Sequence, residues 1–189
     1  MAIIDWASVF REALPYTNFL DKYATPAHRD RWNASHARFR LEPDQASLLG
    51  TFVRKLPVLC LTGTWCGDCI NQCPIFDHFA AASNVIDLRF LDRDALPEVA
   101  DALAINGGHR VPAVLFLSED YQEVARYGER TLAGYRKLAA DQLGASCPTG
   151  LVAPDEALTK AVAAEWLGQF ERAHLILRLS PRLRTKHND

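Results

Sequence analysis

Along the chain the spacing of apolar side chains changes from helical to strand-like and back again. From residue 1 to about residue 56, Trp6, Phe10, Phe19, Leu20, Tyr23, Trp32 and Phe39 recur at helical rather than strand intervals. Thr25-Pro26 reads as a cap followed by proline at the first helical position, and Pro43-Asp44 opens a further helix in the same way. The character then changes. Pro57-Val-Leu-Cys-Leu-Thr62 is a short apolar run with β-branched residues, bounded by proline and glycine, and predicts a buried strand. A helix is expected from about Cys66 to Ala82, an alternating strand over Val85 to Leu91, and a short helix over Leu96 to Ala104. Val111 to Leu117 is a second apolar strand. A turn at Ser118-Glu-Asp120, an edge strand over Gln122 to Tyr127 and a helix over Thr131 to Leu143 follow. The order β-α-β-α-β-β-α predicts an α/β protein in which a parallel crossover and then a hairpin share one sheet.

Gly144 to Pro154 is rich in glycine, proline and serine and reads as a loop; Asp155 to Leu179 is a long helical pattern stopped by Pro181. The chain thus divides into a helical extension (1–55), a central domain (56–143) and a loop with a C-terminal helix (144–189). The aromatic content of both flanks predicts that they pack on the central domain and enlarge its core, rather than folding separately or serving to dock a partner.

A length of 189 residues suits one domain with a filled core, and 49% hydrophobic with 23% charged residues is ordinary for a globular protein. A net charge of −2 provides no electrostatic reason to expect nucleic acid or an anionic membrane as partner. The basic stretch Arg178, Arg182, Arg184 and Lys186 reads as a solvated tail. The N-terminus lacks the cationic and apolar regions of a signal peptide, and no segment approaches the roughly 18 apolar residues of a membrane span. A cytoplasmic protein is expected. Thiols there stay reduced, so the five cysteines are not expected to form a disulfide framework, and a close pair should be catalytic or metal-binding.

Such a pair exists. Trp65-Cys66-Gly67-Asp68-Cys69 follows a predicted strand and opens a predicted helix. Unpaired backbone N–H groups and the macrodipole at that end favour an anion, so a thiol there should ionise more readily, and the thiolate is the attacking species. Two intervening residues let Cys66 and Cys69 meet within one helical turn and close a disulfide. Farther on, Val111-Pro112 begins an apolar strand, an unusual place for a residue that cannot donate to a ladder.

With these residues in view, the stretch from about Leu56 to Leu143 resembles thioredoxin. Trp65, Cys66, Gly67 and Cys69 carry the resemblance, with Pro74 beyond them, Val111-Pro112, and Gly128 after the last strand. It implies a thioredoxin-like fold, a central mixed sheet flanked by helices, with no cofactor. It implies thiol–disulfide exchange, with Cys66 as nucleophile and Cys69 resolving the mixed disulfide. Pro74 would kink the active-site helix, and Pro112 would be the cis-proline facing the disulfide. Trp65, Gly67, Asp68, Val111, Pro112 and Gly128 would form the shelf for an extended substrate segment, by a contact like strand addition. The implied partners are a disulfide-containing protein and an upstream thiol reductase.

Several positions depart from the family pattern. Asp68 replaces the usual proline. A carboxylate there opposes a thiolate but can also cap the helix, and on the first ground its replacement by proline or asparagine is expected to lower the Cys66 pKa. Cys60 stands where the family has a buried aspartate, and Phe90 aligns where a partner lysine often lies, so both halves of a buried polar pair are replaced. Cys60 is expected to be an inert core thiol. Cys66, Cys69 and Cys73 with Pro74 match part of a bacterial ferredoxin run, but Gly63 stands where the fourth ligand should be. A zinc site from the same three would need a fourth ligand, and Cys73 sits a full turn into the helix. Cys73 is otherwise a third redox thiol or a core residue. Cys147 reads as an incidental loop thiol. The histidines show no HxH or HExxH spacing, His109 reads as a surface residue near the site, and Gly107-Gly108 is a turn, not a phosphate loop. The rival of a disulfide reductase is a binding module that keeps the scaffold without turnover, or a thiolate metal site.

Overall fold

The computed structural model describes residues 4–143 and 155–188. The predicted loop over 144–154, with Cys147, lies outside the described residues.

The two predominantly apolar runs become the centre of the sheet. β1 (Leu56–Thr62) and β3 (Ala113–Leu117) are buried at every position, as strands covered on both faces must be. β2 (Ile86–Asp92) and β4 (Glu123–Gly128) alternate or are half-exposed and lie at the edges, giving the order β2-β1-β3-β4. β1 runs parallel to β2 and antiparallel to β3, and β3 is antiparallel to β4. The expected mixed sheet is therefore present. β3 starts at Ala113 and not at Val111, because Pro112 has no N–H to enter the ladder.

Four helices precede the sheet: α1 (Trp6–Glu12), α2 (Tyr16–Tyr23), α3 (Pro26–Arg38) and α4 (Pro43–Gly50). Thr25 caps α3 by accepting from the His28 N–H at 3.2 Å, with Pro26 next to it. These helices are not a separate layer. Leu14 exchanges two backbone hydrogen bonds with Phe90, at 2.9 and 2.7 Å, and so covers the open edge of β2. Phe19, Trp32, Leu49 and Phe52 belong to the same apolar cluster as Leu59, Phe90 and Phe116.

Between the strands run α5 (Gly67–Ala82) and α6 (Pro97–Ala102); α7 (Leu132–Leu143) follows the sheet. α8 (Asp155–Arg178) packs on α5 and the sheet, where Trp166 meets Phe76 edge-on and Phe170 meets Phe79 and Phe116 edge-on and Phe76 at a tilt, at ring separations of 4.5 to 6.0 Å. His174 pins α8 to the segment before β1. Its Nε2 accepts from the N–H groups of Val53 (3.1 Å) and Arg54 (3.3 Å), and its ring stacks on Phe52. Burial pushes the His174 pKa down and keeps the ring a neutral acceptor.

The C-terminus corrects the sequence reading. Pro181 does not merely end α8 but opens a further helix, α9 (Pro181–His187), capped by Ser180. Nor is the basic stretch simply a solvated tail. Leu183 is buried, and Arg182 and Lys186 both grip Asp120 in the β3–β4 turn, holding its carboxyl far below the usual carboxylate range.

No helix among the described residues is long and apolar enough to cross a membrane.

Candidate active site

The loop from Gly63 to Cys66 is shaped by the helices in front of it. The Trp32 indole N–H donates to the Thr64 carbonyl at 2.9 Å, and the Thr64 hydroxyl donates to the Tyr23 carbonyl at 3.2 Å, with His28 Nδ1 3.1 Å from the same hydroxyl. Trp65 folds back over Gly63, where a Cβ would stand 2.7 Å from the indole. Its ring stays 46% exposed, with the Arg93 guanidinium 4.6 Å from the ring centroid. Arg93 is held there by Asp94 in a bidentate pair (2.9 and 3.1 Å) and by its own N–H to the Thr62 carbonyl.

Cys66 is the N-cap of α5. Its sulfur accepts from the Cys69 N–H at 3.4 Å, and its thiol donates to the Val111 carbonyl at 3.5 Å. Cys69 lies one turn inward and is fully buried, while Cys66 is at the rim. The Val111–Pro112 peptide bond is cis, as is Gly128–Glu129. Gly128 stands opposite Ala113 in the β3–β4 ladder, and a side chain there would run into the Pro112 carbonyl oxygen. The Cys66 thiol thus touches Val111, Trp65 and Gly67 flank it along the chain, and Gly128 packs against the Pro112 carbonyl.

The thiols hold their protons more tightly than a helix N-terminus alone would dictate. The Cys66 thiol is pushed well up, first by its hydrogen bond with the Cys69 thiol and then by burial. The N–H groups of Cys69 and Asp68 pull the other way and lose. Burial likewise pushes Cys69 up. The expectation of a readily ionised thiol is thus reversed, because the partner thiol and the low-dielectric wall outweigh two backbone dipoles. Arg93 interacts with Cys66 through its charge.

A family model described as Thioredoxin (Thioredoxin_9) matches residues 13–141, most of the chain. The chain belongs to the thioredoxin family. The match begins in the helices before the sheet, in the segment that holds Thr64 and covers β2. Among solved structures, a protein of unknown function from Pseudomonas aeruginosa is 20% identical with a TM-score of 0.66, covering 88% of this chain and 99% of its own. An HIV epitope-scaffold is 19% identical with a TM-score of 0.65, covering 87% and 99%. At such identities the likeness is one of fold. No curated protein matches.

Relative to that family, the departures acquire partners that no local pattern announces. Asp68 is not a cap. Its carboxylate takes the Arg130 guanidinium at 3.1 and 2.5 Å, and Arg130 in turn lies 3.5 Å from buried Glu129. Glu129 also accepts from Arg110 (3.0 Å) and the Tyr135 hydroxyl (2.6 Å). Gln72, buried on α5, donates to the carbonyls of Asp68 (3.3 Å) and Glu129 (3.0 Å) and accepts from the Trp166 indole at 2.6 Å. α8 thereby braces the loop after β4. Cys60 and Phe90 face each other in the β1–β2 register, both buried. His109 is exposed and pairs with Asp101 at 2.7 Å. Among the described residues no group of three or more His, Cys, Asp or Glu is arranged to hold a metal ion.

With its carboxylate engaged by Arg130, what Asp68 supplies to Cys66 is its backbone N–H. Asp68→Pro removes that donor and is expected to push the Cys66 pKa further up, slowing its alkylation at neutral pH several-fold relative to Asp68→Asn, which keeps it. Faster alkylation in the proline variant, measured across a pH series, would restore the carboxylate as the controlling group.

Proposed function

We propose that this chain is a thiol–disulfide oxidoreductase that reduces protein disulfides through Cys66 and Cys69. One observation carries the reading: a rim cysteine caps a helix N-terminus, touches the carbonyl that precedes a cis-proline, and has its partner cysteine one turn inward. The Cys66 thiolate attacks one sulfur of a substrate disulfide, and the other substrate sulfur leaves as a thiolate. Cys69 then attacks the Cys66 sulfur, closing the Cys66–Cys69 disulfide and releasing the second substrate thiol. Trp65, Gly67, Asp68, Val111, Pro112 and Gly128 form the shelf, with the backbone of Val111 pairing with an extended substrate segment. A disulfide-containing protein is the substrate, and an upstream thiol reductase restores the dithiol. No cofactor takes part.

The electrostatics favour a reductant over an oxidant. A strong oxidant of this fold has a stabilised thiolate, whereas here burial and the Cys69 thiol oppose one. Such a chain works in a reducing compartment, the cytoplasm. The test is the reduction potential of the Cys66–Cys69 pair in a glutathione redox series. A reversible two-electron couple near −270 mV, the value of thioredoxin, is expected, and not one near the −120 mV of DsbA. A pair with no reversible couple would leave the binding module as the better reading.

A further inference from the structure

The active-site pair is the outer half of a row of four thiols. Behind Cys69 lie Cys73, one turn further along α5, and Cys60 on β1, both completely buried. The Cys60 and Cys73 sulfurs are 3.8 Å apart. The Thr62 hydroxyl stands 3.4 Å from the Cys73 sulfur and interacts with Cys69 as well. Cys69 interacts in turn with Cys66 on one side and Cys73 on the other. All four sulfurs are free thiols. A fold that needed only an apolar core could fill these positions with alanine or valine, whereas here two nucleophiles meet beside the resolving cysteine.

We propose that Cys60 and Cys73 are a second dithiol, which takes over the disulfide from Cys66–Cys69 and so stores a second pair of electrons for the site. The inference rests on the dithiol exchange proposed above. In the first step Cys73 attacks the Cys69 sulfur of the Cys66–Cys69 disulfide. A Cys69–Cys73 bond forms, Cys66 leaves as a thiolate, and the proton that Cys73 gave up ends on Cys66. In the second step Cys60 attacks the Cys73 sulfur. A Cys60–Cys73 bond forms, and Cys69 leaves and recovers a proton from Cys60. One disulfide and two thiols are present throughout, and the buried pair is oxidised as the outer pair is reduced.

The geometry orders these steps. Residues one helical turn apart have Cβ atoms about 5–6 Å apart, wider than the roughly 3.8 Å of a relaxed disulfide. Cys69–Cys73 is therefore a carrier and not a resting state. The Cys60–Cys73 contact joins a strand to a helix, and its sulfurs already touch. Burial pushes both thiols up, which keeps them protonated and inert until an adjacent disulfide presents itself.

The experiment uses the full chain, reduced, freed of reductant and exposed to excess oxidised glutathione. It is then quenched, denatured and alkylated, and the free thiols are counted by mass. Chymotryptic cleavage after Trp65 separates Cys60 from Cys66, Cys69 and Cys73 unless a disulfide links them. The expected wild-type result is one free thiol per chain, a cross-linked pair of peptides containing Cys60 and Cys73, and twofold more glutathione disulfide consumed than by Cys73→Ala. Cys66→Ser is expected to leave Cys60 and Cys73 alkylatable, since oxidation reaches them through the outer pair. Oxidation of Cys60–Cys73 at the wild-type rate in Cys66→Ser would overturn the relay. Three free thiols in the wild type, with Cys66–Cys69 linked, would overturn the second dithiol and leave the proposed function standing. Five free thiols would remove the proposed function itself.

Discussion

Replacing Cys66 by serine is expected to lower disulfide reduction about 10⁴-fold or more, the scale on which loss of a nucleophile acts, without loss of the fold. A serine hydroxyl at the rim can keep the contact with the Val111 carbonyl and accept the Cys69 N–H, so the cap of α5 survives. It cannot attack a disulfide at neutral pH. Cys69→Ser should behave differently. Cys66 still attacks, but nothing resolves the product, so a mixed disulfide with substrate accumulates and can be isolated under non-reducing conditions. The contrast assigns the roles, because exchanged roles would invert which variant traps substrate. Equal residual turnover in both variants would show that neither cysteine is the nucleophile.

The second large effect lies outside the motif. Trp32→Ala should destabilise the protein by about 3–5 kcal/mol, as truncation of a fully buried tryptophan does. Trp32 packs against Tyr16 and Phe19 at ring separations of 5.7 and 6.0 Å, in the cluster that continues to Phe90 and the sheet. Its indole also donates to the Thr64 carbonyl, two residues before Cys66. Trp32→Phe refills most of the volume but leaves that buried carbonyl without its donor, a loss of about 1–3 kcal/mol. Both variants should therefore lose stability by urea titration. The phenylalanine variant, assayed where it is still folded, should also react more slowly at Cys66 as the 63–65 loop loosens. A wild-type urea midpoint in Trp32→Ala would mean that α3 is peripheral to the core.

Arg93 and Arg130 show where reading the chain stops. Each stands in an unremarkable polar stretch, and nothing in local spacing ties it to the thiols. Arg93 reaches the site because the turn after β2 places its guanidinium on the Trp65 ring. Arg130 does so because the loop after β4 crosses the first turn of α5, where Asp68 waits. Gln72 is another such case: polar, on a helix, and buried only because Trp166 and the Glu129 carbonyl meet there. A charged or polar residue records its own need for a partner, but not which of many distant residues satisfies it.

Periodicity and turn chemistry, by contrast, are local properties, and they were enough for much of this protein. The runs around Leu59 and Leu115, apolar at every position but Thr62, short and bounded by proline or turn residues, read as buried strands. Cys66 had to sit where strand passes into helix, and Pro112 where a ladder begins. These follow from backbone geometry acting over a few residues. The tertiary structure alone decided that Cys66 holds its proton, that Asp68 is engaged by Arg130, that Cys60 touches Cys73 and that α9 docks on Asp120. Each of these depends on groups from different elements being brought within a few ångströms. There, burial and the partner's charge set the energy, and neither is defined until the chain has folded.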